Sequence, residues 1–439
     1  MADVKQTLYD AAQYALDRAK ALGADGAEVS VSTGNRTDEL NVDAGEFSLM
    51  RTTFGSAVTV SVIAGQKYGG SATNKTDRGS IDKTVENAIE AAKASDADEA
   101  QQIAPDMGER ESKQGSGATE PDLDAIYDRM SEFLADTKRE YPKLDVMQFI
   151  SRFRRSNKLY ANSSGTRFFT ERAWYSASAE FSARDGDEVS SMFGAGLNAA
   201  DFNRPLLGYP FVRRAVEMME PQLKTQPVQG KFTGTLLCSP DVAAELISSA
   251  LSNAVGSASI IQKTSPWLGK VGEVVADPRL TLIADPDETR VLFPEKFTDD
   301  GFVNEREEVI GNGLLTGFKL GLYGSLKTGL PRAKNDGYFE SLTLGTKTYG
   351  EMLAGIENGL LVYRFSGGSP AQNGDFSGVA KNSFLIKNGK IAGAVSETMI
   401  SGNVFELLKN IVDIGSEPDL DGSSALPFIS FGGVTVSGK

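Results

Sequence analysis

FLIKNGKIAGAV, residues 384–395, decides how the second half of the chain reads. Two apolar, strand-forming runs flank Asn388-Gly389, a pair that tolerates the positive φ of a two-residue hairpin turn. VIGNGLLTGFKLG at 309–321 repeats the arrangement around Asn312-Gly313. Strand-and-turn texture runs from Lys231 onward, so residues 227–439 are expected to form a β-dominated C-terminal domain.

Working back toward the N-terminus, helices enter. Leu8, Ala11, Ala12, Ala15, Leu16, Ala19 and Leu22 recur at helical spacing and Gly23 ends the run, which predicts a helix over 3–22. GAEVSVST, TDELNVDA, EFSLMRTT and GSAVTVSVIAG then read as four short strands separated by Gly, Asn and Asp turns, with QKYGGSATN a fifth. A helix over 80–95 follows, with Ser80 as its expected N-cap. Residues 96–121 hold few large apolar side chains and many breakers, the composition of a linker. Beyond them come a helix over 123–141, two alternating segments (144–154 and 167–184) flanking the turn Asn162-Ser163-Ser164-Gly165, and a helix near 211–220. The expected class is α+β: N-terminal α+β units, 1–112 and 113–226, of meandering antiparallel strands with flanking helices, then the β-dominated domain at 227–439.

Composition narrows the chemistry. The 439 residues are 40% hydrophobic and 24% charged, with 46 Gly, which describes a globular chain rich in turns. A net charge of -14 opposes a phosphate backbone, and the densest basic run, Arg152-Phe153-Arg154-Arg155, would split between the faces of a strand. Nucleic acid and membrane are disfavoured as partners. With no signal-like leader, no long apolar run and a single Cys, a reducing, cytoplasmic compartment is expected.

The chain contains no His, which removes the commonest general base and the commonest zinc ligand and closes the Ser-His-Asp and Cys-His classes. Ser80-Ile81-Asp82-Lys83 and Lys327-Thr328-Gly329 match the S-x-x-K and K-T-G of serine acyl-enzymes, but no S-D-N lies between them. Phosphate-cradling glycine motifs are absent, and the acidic runs Asp185–Glu188 and Asp285–Glu288 lack Ca²⁺-loop spacing and read as surface turns. GTLLCSPDVAAELISSAL, 234–251, instead reads as a buried strand, a Ser-Pro helix start and an amphipathic helix, with Cys238 at the seam.

GDFSGVAKNSFLIKNGKIAGAVSETMISGNVFELLKNIVDIG, residues 374–415, resembles the signature of the TldD/PmbA family, whose older name is modulator of DNA gyrase. Residues 293–329, 425–438 and 57–74 are similar to further segments of that family. In its catalytic, TldD-type members, a strand leads into an H-E-x-x-x-H helix, and a cysteine near the C-terminus completes a zinc site with one position open for water. Laid on Leu236-Leu237, that motif falls with Cys238 at the first His, Ser239 at the Glu and Ala243 at the second His. Asp421-Gly422-Ser423-Ser424 stands where the later cysteine would be.

The resemblance therefore implies the PmbA/TldE type, a non-catalytic subunit of a zinc metalloprotease complex that degrades unfolded polypeptides or processes peptide precursors. No catalytic residue or metal ligand is expected in this chain, and zinc is expected only in a TldD-type partner. The partner would be that homologous subunit in a heterodimer, or a second copy in a homodimer, with unfolded peptides as substrate. Asp241 and Glu245, one helical turn apart, and Lys327, Thr328 and Gly329, which fall where the family carries S-T-G-N, are expected along the peptide channel, although Leu330-Pro331-Arg332-Ala333 departs from the family's pattern. Cys238 is expected to be a small buried thiol. The alternatives are a regulatory protein acting on DNA gyrase and a homodimeric peptide-binding protein with no catalytic partner.

Overall fold

The computed structural model describes residues 2–367 and 369–439. Helices α1 (Ala2–Ala21), α2 (Arg78–Ala94), α3 (Leu123–Glu140) and α4 (Pro210–Glu217) accompany a first sheet. Its strands are β1 (Gly26–Asp43), β2 (Glu46–Ala64), β3 (Lys67–Thr73), β4 (Glu109–Gly115), β5 (Leu144–Asn162), β6 (Arg167–Asp185), β7 (Glu188–Val189) and β8 (Phe193–Ala199). Their order is β3-β2-β1-β5-β6-β4, with β7 and β8 also pairing β6. The second sheet comprises β9 (Thr225–Pro227), β10 (Lys231–Cys238), β11 (Leu282–Ala284), β12 (Glu307–Gly311), β13 (Leu314–Leu315), β14 (Ser341–Leu342), β15 (Asn358–Gly367), β16 (Asp375–Lys387), β17 (Lys390–Ser396), β18 (Met399–Asn403), β19 (Ile411–Leu420) and β20 (Ala425–Ser437). With it run α5 (Pro240–Val255), α6 (Ser257–Ile261), α7 (Leu322–Thr328), α8 (Tyr349–Ala354) and α9 (Val404–Lys409). Mixed helices and antiparallel strands, with the second half sheet-rich, are the class expected from the sequence.

Local chemistry sets the hairpins. Asn312 and Asn388 have φ of 49° and their following glycines 77° and 73°, so both Asn-Gly pairs turn as expected. After Asn388-Gly389, β17 pairs with the C-terminal half of β16; Glu397 (φ 44°) interrupts the strand without turning it back, and β18 continues in the same direction along the N-terminal half of β16. β18 also pairs β20, so β20, β10, β15, β16 and β18 close into a ring, which leaves fewer open edges for non-specific pairing.

Several expectations need correction. The four short strands between 26 and 65 are two long ones, because Gly34 (φ 62°) makes a β-bulge instead of a turn and Gly55 stays extended in the β1–β2 register. Ser80 is not the cap of α2: the Asp77 carboxylate accepts from Ser80 N, and a charged acceptor at the positive end of the helix serves this role at least as well. The linker expected at 96–121 contains β4, which lies parallel to β6. Residues on both sides of 112/113 share the first sheet, since β1 pairs β5 along most of its length.

Three apolar cores hold these layers. Alternation in β1 and β2 buries Val29, Val31, Val58, Val60 and Val62 under α1 and α2. Gly69 on β3 lets α2 approach so closely that a Cβ there would lie 2.1 Å from Ala88 O. A second core joins Phe133, Phe149 and Phe181 to Leu237, Leu361 and Phe428, and so ties the first sheet to the second. In the third, Leu246, Ile247, Ala250 and Leu251 of α5 cover Leu236, Val362 and Phe431. Burying each such Val, Leu or Phe favours folding by about 1.5–3 kcal/mol. Among the described residues no helix is long and apolar enough to cross a membrane.

Candidate functional site

β10 lies between β15, parallel to it, and β20, antiparallel. It delivers Cys238, Ser239 and α5 to the place where the second sheet meets the first. Cys238 is opposite Val362 and Ile429 and wholly buried, and burial pushes its thiol far above the ordinary range, so neither thiolate chemistry nor metal ligation is open to it. Ser239 N donates to Val362 O at 3.0 Å, and Ser239 O accepts from Ala243 N at 2.9 Å. Ser239 is the N-cap of α5, yet its hydroxyl makes no capping bond. It is 5% exposed, and its buried Oγ has no hydrogen-bond partner among the described residues. Ala243 is buried in the core.

Asp241 opens onto a recess of about 100 Å³. Phe193 of β8, Phe211 and Arg214 of α4, Ser239, Tyr363, Asp419, Asp421, Ser424 and Phe428 are among its lining. Arg214 Nη2 donates to both oxygens of Asp419, at 2.5 and 2.6 Å, and its guanidinium sits 5.2 Å from the Phe428 ring centre. Asp421 Oδ1 accepts from the backbone N–H groups of Ser423 and Ser424 at 2.7 and 2.8 Å. The Asp241 carboxylate has no hydrogen-bond or ion-pair partner among the described residues. Asp241 is an exposed residue, yet the protein atoms near its carboxyl, and then the charges of Asp421 and Asp419, raise it above the usual range. Asp419 is raised too, by burial first, with Arg214 opposing and Asp421 adding.

The structure thus gathers Ser239 and Asp241 with Asp421 and Ser424, two segments about 180 residues apart that the resemblance alone had connected. The other expected channel residues lie elsewhere. Glu245 is exposed on α5 but does not line the recess. Lys327 donates to Asp98 at 2.8 Å, tying α7 to the N-terminal half; Thr328 bonds back to Gly324 O at 2.7 Å, and Gly329 ends α7 in the left-handed conformation (φ 72°). Arg214, Asp419 and the aromatic walls escaped sequence reading. Asp419 lies near the end of β19, and nothing local in the sequence pointed Arg214 toward it.

The PmbA/TldA metallopeptidase C-terminal domain matches residues 231–438, and the PmbA/TldA metallopeptidase domain 1 matches 27–92. The chain belongs to the TldD/PmbA family. Metalloprotease PmbA of Escherichia coli O157:H7 is 25% identical, across 94% of this chain and 92% of that protein. A metalloprotease of Methanothermobacter thermautotrophicus is 30% identical over 48% of each chain. The crystal structure of TldE from Thermococcus kodakarensis shares the fold, with a TM-score of 0.87 at 23% identity, covering 98% of this chain and 100% of that one.

The family's zinc finds no fit here. Cys238, Ser239 and Ala243 offer one inaccessible thiol, one hydroxyl and one methyl, and among the described residues no group of three His, Cys, Asp or Glu could hold a metal ion.

Proposed function

We propose that this chain is a PmbA/TldE-like, non-catalytic subunit of a TldD/TldE-type metalloprotease, supporting peptide binding and assembly beside a zinc-bearing homologous subunit. The observation that carries this reading is the seam between β10 and α5. Laid on Leu236-Leu237 by resemblance, the family's catalytic motif falls there, and this chain carries a buried thiol, a buried hydroxyl and a core methyl at those positions, in a sequence without histidine. A β-rich half can hold extended chain through backbone hydrogen bonds, which are tolerant of sequence, while a neighbouring subunit supplies the activated water.

The test is reconstitution with a homologue bearing H-E-x-x-x-H. Alone, the purified chain should hold no stoichiometric zinc and leave an unfolded casein substrate intact; with the homologue, cleavage should appear. Casein cleavage by the isolated chain, with one tightly held zinc lost in Cys238→Ser, would refute the reading.

A further inference from the structure

The recess at the start of α5 carries more negative charge than its neighbours satisfy. We propose that it binds an organic cation, the ammonium or guanidinium group of an extended peptide, supplied by a free amino terminus or by a Lys or Arg side chain. The proposal rests on the peptide-binding reading above and names what that peptide must carry.

Charge selects the class of ligand. Three carboxylates, Asp241, Asp419 and Asp421, line the recess against one guanidinium, and Arg214 spends its contact on Asp419. Asp241 and Asp421 are left without a cation among the described residues. The N-terminus of α5 favours negative charge with about half a unit, less than two uncompensated carboxylates oppose. Burial first, and then the neighbouring carboxylates, displace Asp241 and Asp419 upward, with Arg214 opposing at Asp419.

Ser239 supplies an independent observation. A serine at an N-cap ordinarily accepts from a helical N–H. This one does not: its Oγ is buried without a partner among the described residues, and Ser239 is one of the residues that line the recess. A buried hydroxyl in that state needs a donor, which an ammonium or guanidinium provides. Phe193, Phe211, Tyr363 and Phe428 complete the site with aromatic surface, to which organic cations are attracted. About 100 Å³ accommodates a terminal ammonium or guanidinium with a water, not a folded chain. A metal ion is the poorer occupant, because the carboxylates do not converge as a ligand set.

The experiment titrates the full chain by calorimetry with three probes: tetra-alanine amide, its N-acetyl derivative, and N-acetyl-Ala-Lys-Ala-Ala amide. Both cationic probes should bind about tenfold or more tightly than the neutral one, as loss of a charge-assisted hydrogen bond implies. If only one does, the source is assigned to the amino terminus or to the side chain. Asp241→Asn and Asp421→Asn should each remove most of that preference and Ser239→Ala part of it, with Glu90→Gln on the far helix α2 unchanged. Circular dichroism and unfolding curves confirm that each variant is folded. Equal binding of charged and neutral peptides, or a preference untouched in folded Asp241→Asn and Asp421→Asn, overturns the cation site while leaving peptide binding in place. A charge preference that persists when reconstituted proteolysis fails would instead sink the protease-subunit reading and keep the site.

Discussion

Replacing Arg214 with methionine should destabilise the protein by about 2–4 kcal/mol near pH 7.5, and Asp419 is the reason. Breaking a fully buried ion pair by removing one partner costs about 3–5 kcal/mol, mostly because the other charge is left in a poor environment. Here the side chains of Arg214 and Asp419 keep 27% and 22% of their exposure, so water recovers part of that loss. Methionine keeps an unbranched apolar stem and so limits any cavity effect, while the guanidinium's contact with the Phe428 ring is lost together with the ion pair. The pH dependence has a fixed sign. A carboxyl whose folded pKa lies above its unfolded one favours folding below the unfolded value and loses that contribution as pH rises through the folded value. Asp419 is already displaced upward, and removing Arg214 enlarges the displacement. The deficit of Arg214→Met should therefore be largest above neutrality and shrink as pH falls toward 5. Urea unfolding of the wild type, Arg214→Met, Asp419→Asn and the double variant at pH 5 and 8 measures it, and the double variant should recover at least about 1 kcal/mol relative to additivity. A cost below about 0.5 kcal/mol at pH 8, or a double variant no better than the sum of the singles, would refute the argument.

Three further outcomes follow from the same geometry. Cys238, wholly buried, should resist a disulfide reagent in the native protein and react once the chain is unfolded in urea; rapid native labelling would contradict its burial. Gly69→Ala should cost about 2 kcal/mol or more, since its Cβ would lie 2.1 Å from Ala88 O, whereas Gly79→Ala, whose nearest neighbour is 3.5 Å away inside α2, should stabilise by about 0.5–1 kcal/mol; thermal unfolding reads both. Glu340 is raised to about 7, by burial first and then by Asp285 and Glu288, so its contribution is lost as pH climbs through neutrality. Glu340→Gln should consequently gain on the wild type by about 1 kcal/mol or more between pH 5.5 and 8, and parallel stability curves across that range would exclude a titration at this residue.

What could be read from the sequence was what a few neighbouring residues dictate. Asn312-Gly313 and Asn388-Gly389 demand left-handed backbone within two residues, and the long helices carry their apolar stripe in their own spacing, so all of these were legible. Gly34 was not, because glycine serves a turn and a bulge equally well; the partner strands decide between them, and β2 and β5 carry β1 past the bulge. β4 hid for a related reason. Glu-Arg-Glu-Ser-Lys-Gln-Gly buries only Ser112, since β4 pairs on one side alone, with β6, and an edge strand need not show apolar alternation.

The recess shows the same limit at the level of chemistry. Family resemblance put 238–243 and 421–424 in correspondence with a zinc site, and the fold brings members of both segments to one wall-lined cavity. The residue that fixes the cavity's charge, Arg214, lies on α4, 205 positions from the carboxylate it holds, and no local pattern connects the two. Ser239 sharpens the point. In the sequence it reads as an ordinary Ser-Pro helix start, and only the missing capping bond reveals an acceptor without a donor among the described residues. In a chain without histidine, the strand-to-helix seam presents a hydroxyl and carboxylates that lack a cation partner among the described residues, the groups on which the proposed site for the positive end of a chain rests.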